Sequence, residues 1–137
     1  MSRLAARCTA IAVSACLLAG CASVDSLKQA RGEGVKRTFR HSYDRVFAAA
    51  MGAAVQKKLT VVTSDRKNGT ILLTSGASLS SLGGERIALF LTRLDEQATS
   101  VEVVVQAVVP GVSFPPDWAE LLFGEIEENL AEQRLSQ

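Results

Sequence analysis

Leu59-Thr60-Val61-Val62-Thr63-Ser64-Asp65-Arg66-Lys67-Asn68-Gly69-Thr70-Ile71-Leu72-Leu73-Thr74-Ser75 is the stretch that decides the fold. Leu59 to Ser64 is short and rich in β-branched residues, whose stiff side chains suit a pleated strand. Asp65 to Gly69 then collects turn formers, with Asn68 and Gly69 able to take positive φ. Thr70 to Ser75 returns as a second strand. Two strands joined by so short a turn pair antiparallel, because a parallel pair needs a crossover of a dozen residues or more.

Downstream the pattern continues. Gly76 to Gly84 is rich in serine and glycine and reads as a mobile loop. Its glycines have neither the P-loop nor the dinucleotide spacing, so phosphate binding there is not expected. Glu85 to Leu94 is a strand with Ile87, Leu89 and Leu91 on one face. Its other face is apolar at Phe90, which predicts a central strand or a helix over Phe90. Asp95 to Ala98 turns, and Thr99 to Val109 is the last strand, with Val101, Val103, Val105 and Ala107 on one face. Pro110 to Pro116 breaks the sheet. Asp117 caps a final helix, and Glu120, three residues on, completes a capping box. Trp118, Leu121, Leu122, Ile126 and Leu130 are its expected apolar stripe, with Glu125, Glu127, Glu128 and Glu132 in water.

Upstream, Val35 to His41 alternates as a strand, with Arg37 interrupting its apolar side. Ser42 stands where a helix N-cap belongs, its hydroxyl placed to accept a backbone N–H, and Asp44 lies in the first turn. Tyr43, Val46, Phe47, Ala50, Met51, Ala54 and Val55 recur at helical spacing up to about Lys58, and Lys57 and Lys58 suit the negative end of the dipole. The small residues from Ala48 to Ala54 let this helix lie close on a sheet. The predicted class is α+β: two layers, an antiparallel five-stranded sheet in the order β-α-β-β-β-β-α, with both helices on one face and the other face left to solvent or a partner.

The N-terminus carries a different message. Arg3 and Arg7 precede an uncharged run from Cys8 to Leu18 that has the length of a signal-peptide core and is too short to span a bilayer. Leu18-Ala19-Gly20-Cys21 resembles the lipobox of bacterial lipoproteins. The resemblance implies recognition of Leu18, Ala19 and Gly20 by the signal peptidase, removal of residues 1–20, and acylation of Cys21, the thiol being the nucleophile that takes the diacylglycerol. Residues 21–34, polar and ending in two glycines, read as a lipidated tether, and residues 35–137 as a single domain. Ala22 after the cysteine resembles substrates passed to the outer membrane, which places the chain on that membrane, facing the periplasm.

Loss of residues 1–20 removes Cys8 and Cys16 and leaves Cys21 lipidated. No disulfide, cysteine nucleophile or cysteine metal site is then expected. Charge is unevenly spread: residues 21–67 carry +6 and residues 68–137 carry −7. The two halves either neutralise one another in the fold or leave a basic face for anionic lipid or an acidic partner. Lys36, Arg37, Arg40, Lys57 and Lys58 are the candidates for such a contact.

Tyr43, Val46, Phe47 and Ala50, then Leu59-Thr60-Val61, Gly69-Thr70-Ile71, Thr99 to Val103, and Leu121, Ile126 and Leu130 resemble small bacterial lipoproteins of a domain-of-unknown-function family. They bear a more distant likeness to the helix-grip-like domains of lipoprotein component C of the outer-membrane β-barrel assembly machine. The resemblance rests on apolar spacing and turn glycines, and implies a non-enzymatic envelope protein.

Chemistry is sparse. His41 is the single histidine, and its neighbour Ser42 points the other way along a strand. No catalytic group, metal site or cofactor is expected. Nucleic acid is not an expected partner, because the basic half lacks interleaved aromatics. The expected partners are the membrane, through Cys21, and an envelope protein docking at Phe114 and Trp118, aromatics beside prolines in a loop. The alternative is a small or lipidic ligand between the first helix and the sheet, lined by Ala48 to Ala54, or cell wall or lipopolysaccharide on the basic residues.

Overall fold

The computed structural model describes residues 25–77, 83–111 and 114–136. The lipobox and the middle of the Gly76–Gly84 loop lie outside the described residues. The strands are β1 (Val35–Phe39), β2 (Thr60–Asp65), β3 (Thr70–Thr74), β4 (Glu85–Asp95) and β5 (Ala98–Ala107). The helices are α1 (residues 25–29), α2 (Tyr43–Gln56) and α3 (Trp118–Leu135). One antiparallel sheet has the order β1-β5-β4-β3-β2. β2 to β5 form a meander, and α2 carries the chain from the β1 edge to the β2 edge. The expected fold class and both main helices on one face are as observed.

The main core lies between that face and α2 and α3. Phe39, Ile71, Leu73, Ile87, Leu89, Leu91, Val101 and Val103 meet Val46, Phe47, Ala50, Ala53 and Ala54 of α2 and Leu122, Phe123, Ile126 and Leu130 of α3. Each large side chain so buried contributes about 1.5–3 kcal/mol relative to exposure. Of the small residues from Ala48 to Ala54, Ala49, Ala50, Ala53 and Ala54 are packed against the core, whereas Ala48 is exposed. Across the helix pair, Gly52 faces Asn129, whose amide donates to the Ala49 carbonyl at 3.1 Å.

The segment expected as a tether packs onto the domain. Leu27 and Ala30 are buried with Leu72, Ala88, Phe90 and Val104 in a second, smaller cluster on the opposite sheet face. That face is therefore partly covered, and Phe90 lies beneath this segment. Glu102, only 4% exposed, holds it in place: Oε1 accepts from the Gly32 and Gly34 N–H groups at 2.6 and 2.8 Å. Gly34 is needed there, since a Cβ would stand 2.3 Å from the Val103 carbonyl oxygen.

The helix ends correct several local expectations. Ser42 is the N-cap by position, and its carbonyl accepts the first helical N–H, from Val46, at 3.1 Å. Its hydroxyl makes no cap bond. Lys57 and Lys58 lie beyond the last turn of α2. Lys58 takes φ +57°, and the Lys58 and Leu59 amides donate back to Val55 and Ala54, a Schellman ending without the usual glycine. On α3, Asp117 caps as expected, accepting from the Glu120 amide at 3.1 Å. The Glu120 carboxylate, however, turns to Arg37 at 2.9 and 3.0 Å. Leu121 is 40% exposed, and Phe123 takes the core position, with Leu122, at the start of the stripe.

Candidate functional site

Two clefts sit at different parts of the sheet. The first is an open cleft of about 720 Å³ beside the β2–β3 turn, lined by Arg31, Tyr43, Asp44, Arg66, Lys67, Asn68, Gly69, Leu91, Thr92 and Arg93. The turn itself is built by Asp65, whose two oxygens accept from the Asn68 backbone and side-chain N–H groups at 3.0 and 2.7 Å. The Asn68 side chain, then its backbone N–H, holds the Asp65 carboxyl below its usual range, with Lys28 adding a smaller pull. Gly69, at φ +64°, brings the turn against β4: the Leu91 amide donates to its carbonyl at 2.8 Å.

Three arginines are laid over aromatic rings around this cleft. Arg31 lies 4.7 Å from the Phe90 centroid, Arg66 5.4 Å from Phe47 and Arg93 5.2 Å from Tyr43. Arg31 also donates to the Asn68 carbonyl at 3.1 Å. The Tyr43 hydroxyl donates to the Arg66 carbonyl at 2.6 Å. Partial burial pushes the Tyr43 phenol up, against the pull of Arg66 and Arg93, so it stays protonated and neutral. Asp44 is the single carboxylate in the lining, and it pairs with Arg66 at 3.3 Å in a largely exposed contact that contributes little. The result is a cationic surface of pre-positioned guanidinium groups.

The second cleft, of about 390 Å³, is lined by Glu33, Gly34, Val35, residues 103–106 of β5 and residues 115–119. Its geometry follows from Gly34. β1 pairs with β5 only from Val35↔Val103 to Phe39↔Thr99. At Gly34 the chain leaves the sheet for the opposite face, so among the described residues β5 beyond Val103 pairs as a strand on its β4 side alone. Trp118 is half-buried in this wall: its ring packs on the main core and its indole N–H donates to Glu85 at 3.2 Å. Glu85 is buried and also meets the Ser75 hydroxyl. Phe114, by contrast, is 82% exposed, and Val35 is 55% exposed.

The residues expected to make a basic face are not brought together. Lys36 and Arg37, adjacent in β1, point to opposite sheet faces. Lys36 lies 4.0 Å from Glu102. Arg37 is drawn onto α3, pairing with Glu120 and Glu127 and stacking 4.7 Å from the Phe123 ring. Lys57 pairs with Glu125 at 2.5 Å. Arg40 and Lys58 belong to the two ends of α2's connections. The cations that do converge, Arg31, Arg66, Lys67 and Arg93, come from three separate places in the chain. Asp65 and Asn68 signalled only a turn, and nothing in the local pattern tied them to Arg31 or Arg93. His41 sits near the end of α3, with Arg134 3.4 Å from Nε2, and burial first, then Arg45 and Arg134, lowers its pKa. Among the described residues, no three His, Cys, Asp or Glu gather as a metal site, and no helix is long and apolar enough to cross a membrane.

No protein-family model matches the chain, and no curated protein matches it. Among solved structures it is similar to the adenylate sensor from AMP-activated protein kinase, crystallised with 5-aminoimidazole-4-carboxamide ribofuranotide. The identity is 16% and the TM-score 0.48, covering 72% of this chain and 94% of that one. It is also similar to Ara h 8.0201, at 13% identity and TM-score 0.43, covering 72% and 95%. Likenesses this slight carry nothing about its ligands.

Proposed function

We propose that this chain is a lipid-anchored, non-enzymatic interaction module of the bacterial cell envelope, held on the outer membrane through Cys21 and docking an extended segment of another envelope protein. Leu18-Ala19-Gly20-Cys21, in its setting of basic and apolar residues, supports the anchor. The observation that carries the docking surface is the second cleft, where an uncovered strand edge is flanked by exposed apolar side chains. An edge strand with free backbone groups is a template for an added strand. Val35 in the lining, and exposed Phe114 next to the lining residue Pro115, would offer apolar surface to alternate side chains. Trp118 forms the wall, while Phe114 is the anchor.

The test is the size of the complex in gently solubilised membranes. The unaltered chain runs in an assembly larger than itself. Phe114→Ala and Val35→Asp, at exposed positions, release it as the free chain with an unchanged melting temperature. An assembly of the same size in both variants, or a free chain throughout, would overturn this reading.

A further inference from the structure

The basic cleft and the packed N-terminal segment together assign a second surface. We propose that the cleft lined by Arg31, Arg66, Lys67 and Arg93, extended by Lys28, is the membrane-facing side of the domain and binds the phosphate groups of anionic lipids. The inference rests on the anchored reading of Cys21.

The anchor has little reach. Leu27 and Ala30 fix the chain to the sheet, and α1 begins at Asp25, four residues after Cys21. Four residues at full extension cover at most about 14 Å. A domain so tethered cannot stand off the bilayer, and its N-terminal side lies within about one to two Debye lengths of the headgroups.

Charge points to the same side. Arg31 continues directly from the anchored segment, and Lys28 lies on α1 close enough to Asp65 to act on its carboxyl. Both therefore stand on the side the anchor approaches. Arg66, Lys67 and Arg93 complete the surface around the same cleft; Asp44 in its lining and Asp65 in the adjoining turn are the carboxylates that oppose them. The guanidinium groups lie over Phe90, Phe47 and Tyr43, so less side-chain freedom remains to be lost on binding. Arginine's planar fork suits phosphate oxygens.

The mature chain would hold no free thiol, since the sulfur of Cys21 carries the lipid, so Thr92→Cys, in the exposed lining of the cleft, takes a spin label at one place. The lipidated protein is reconstituted in phosphatidylcholine vesicles with or without phosphatidylglycerol. The expected result is flotation with both, and protection of the label from a water-soluble relaxant only when phosphatidylglycerol is present. High salt reverses that protection, and Arg66→Gln or Arg93→Gln weakens it about fivefold each. Flotation with a label equally accessible in both vesicles overturns the membrane-facing surface and leaves the anchor standing. Failure to float overturns the anchor and this inference with it. Protection in neutral vesicles on adding inorganic phosphate alone would assign the cleft to a free anion and overturn the lipid assignment.

Discussion

Gly69 shows how one residue links the hairpin to the cleft. Its φ of +64° is open to glycine and costly for other residues, and a Cβ would fall 2.2 Å from the Leu91 carbonyl oxygen and 3.0 Å from the Tyr43 hydroxyl. Gly69→Ala should therefore destabilise the fold by at least about 2 kcal/mol, combining left-handed strain with backbone displacement, as read from the denaturant midpoint. The positive φ of Gly69 was legible from Asn-Gly, although Asn68 does not share it; the contact with β4 was not legible, because register across strands is not written in a local run. His41 acts through pH. Its folded pKa lies below the ordinary 6.5, so above pH 6.5 the imidazole is neutral both folded and unfolded. As pH falls from 6.5 towards the lowered value, the unfolded chain takes up a proton that the folded chain refuses, and stability declines. His41→Asn should flatten the stability profile in that window. An unchanged slope would remove His41 as its source.

The two helices and five strands were readable because hydrophobic period sets both. The exceptions have physical causes. Phe123 took the place expected for Leu121 because α3 rotates to bring Phe123 onto Phe39, with ring centroids 6.1 Å apart. Arg37 looked like a fault in an apolar face, yet its stem and guanidinium lie over Phe123 and reach two glutamates on α3. The polar composition of residues 21–34 suggested a tether and hid the two side chains, Leu27 and Ala30, that dock it. Glu102 is the latch for that element. Glu102→Ala should cost about 1–3 kcal/mol through the orphaned Gly32 and Gly34 N–H groups. Hydrogen exchange should then rise in residues 25–34 ahead of the rest of the chain. Uniform exchange would mean the segment is held by Leu27 and Ala30 alone. For α2, Ala50→Leu should destabilise by about 1–3 kcal/mol, because the added carbons have no space. Full stability on thermal melting would reveal room between helix and sheet that a ligand could use.

At the scale of the molecule, the sequence's charge asymmetry is resolved in two ways. Part is neutralised across elements, as in Arg37 with α3 and Lys57 with Glu125. Another part gathers in the basic cleft, assembled from α1's end, the β2–β3 turn and β4, and so invisible to any reading of consecutive residues. Phe114 was legible as a candidate anchor because an aromatic between loop residues and prolines has little core to join. The uncovered β5 edge beside it emerged only from the β1 register. The proposed picture is two-sided: a cationic cleft beside a lipid-anchored segment, and a strand edge near Phe114 that would take a protein. Photo-crosslinking in intact cells, with a photoreactive aromatic placed at Phe114 in one strain and at Thr92 in another, tests this most directly. One discrete protein adduct is expected from position 114 and lipid adducts from position 92, both lost when Cys21→Ser releases the chain. Protein adducts from position 92 with none from position 114, or adducts indifferent to Cys21→Ser, would contradict it.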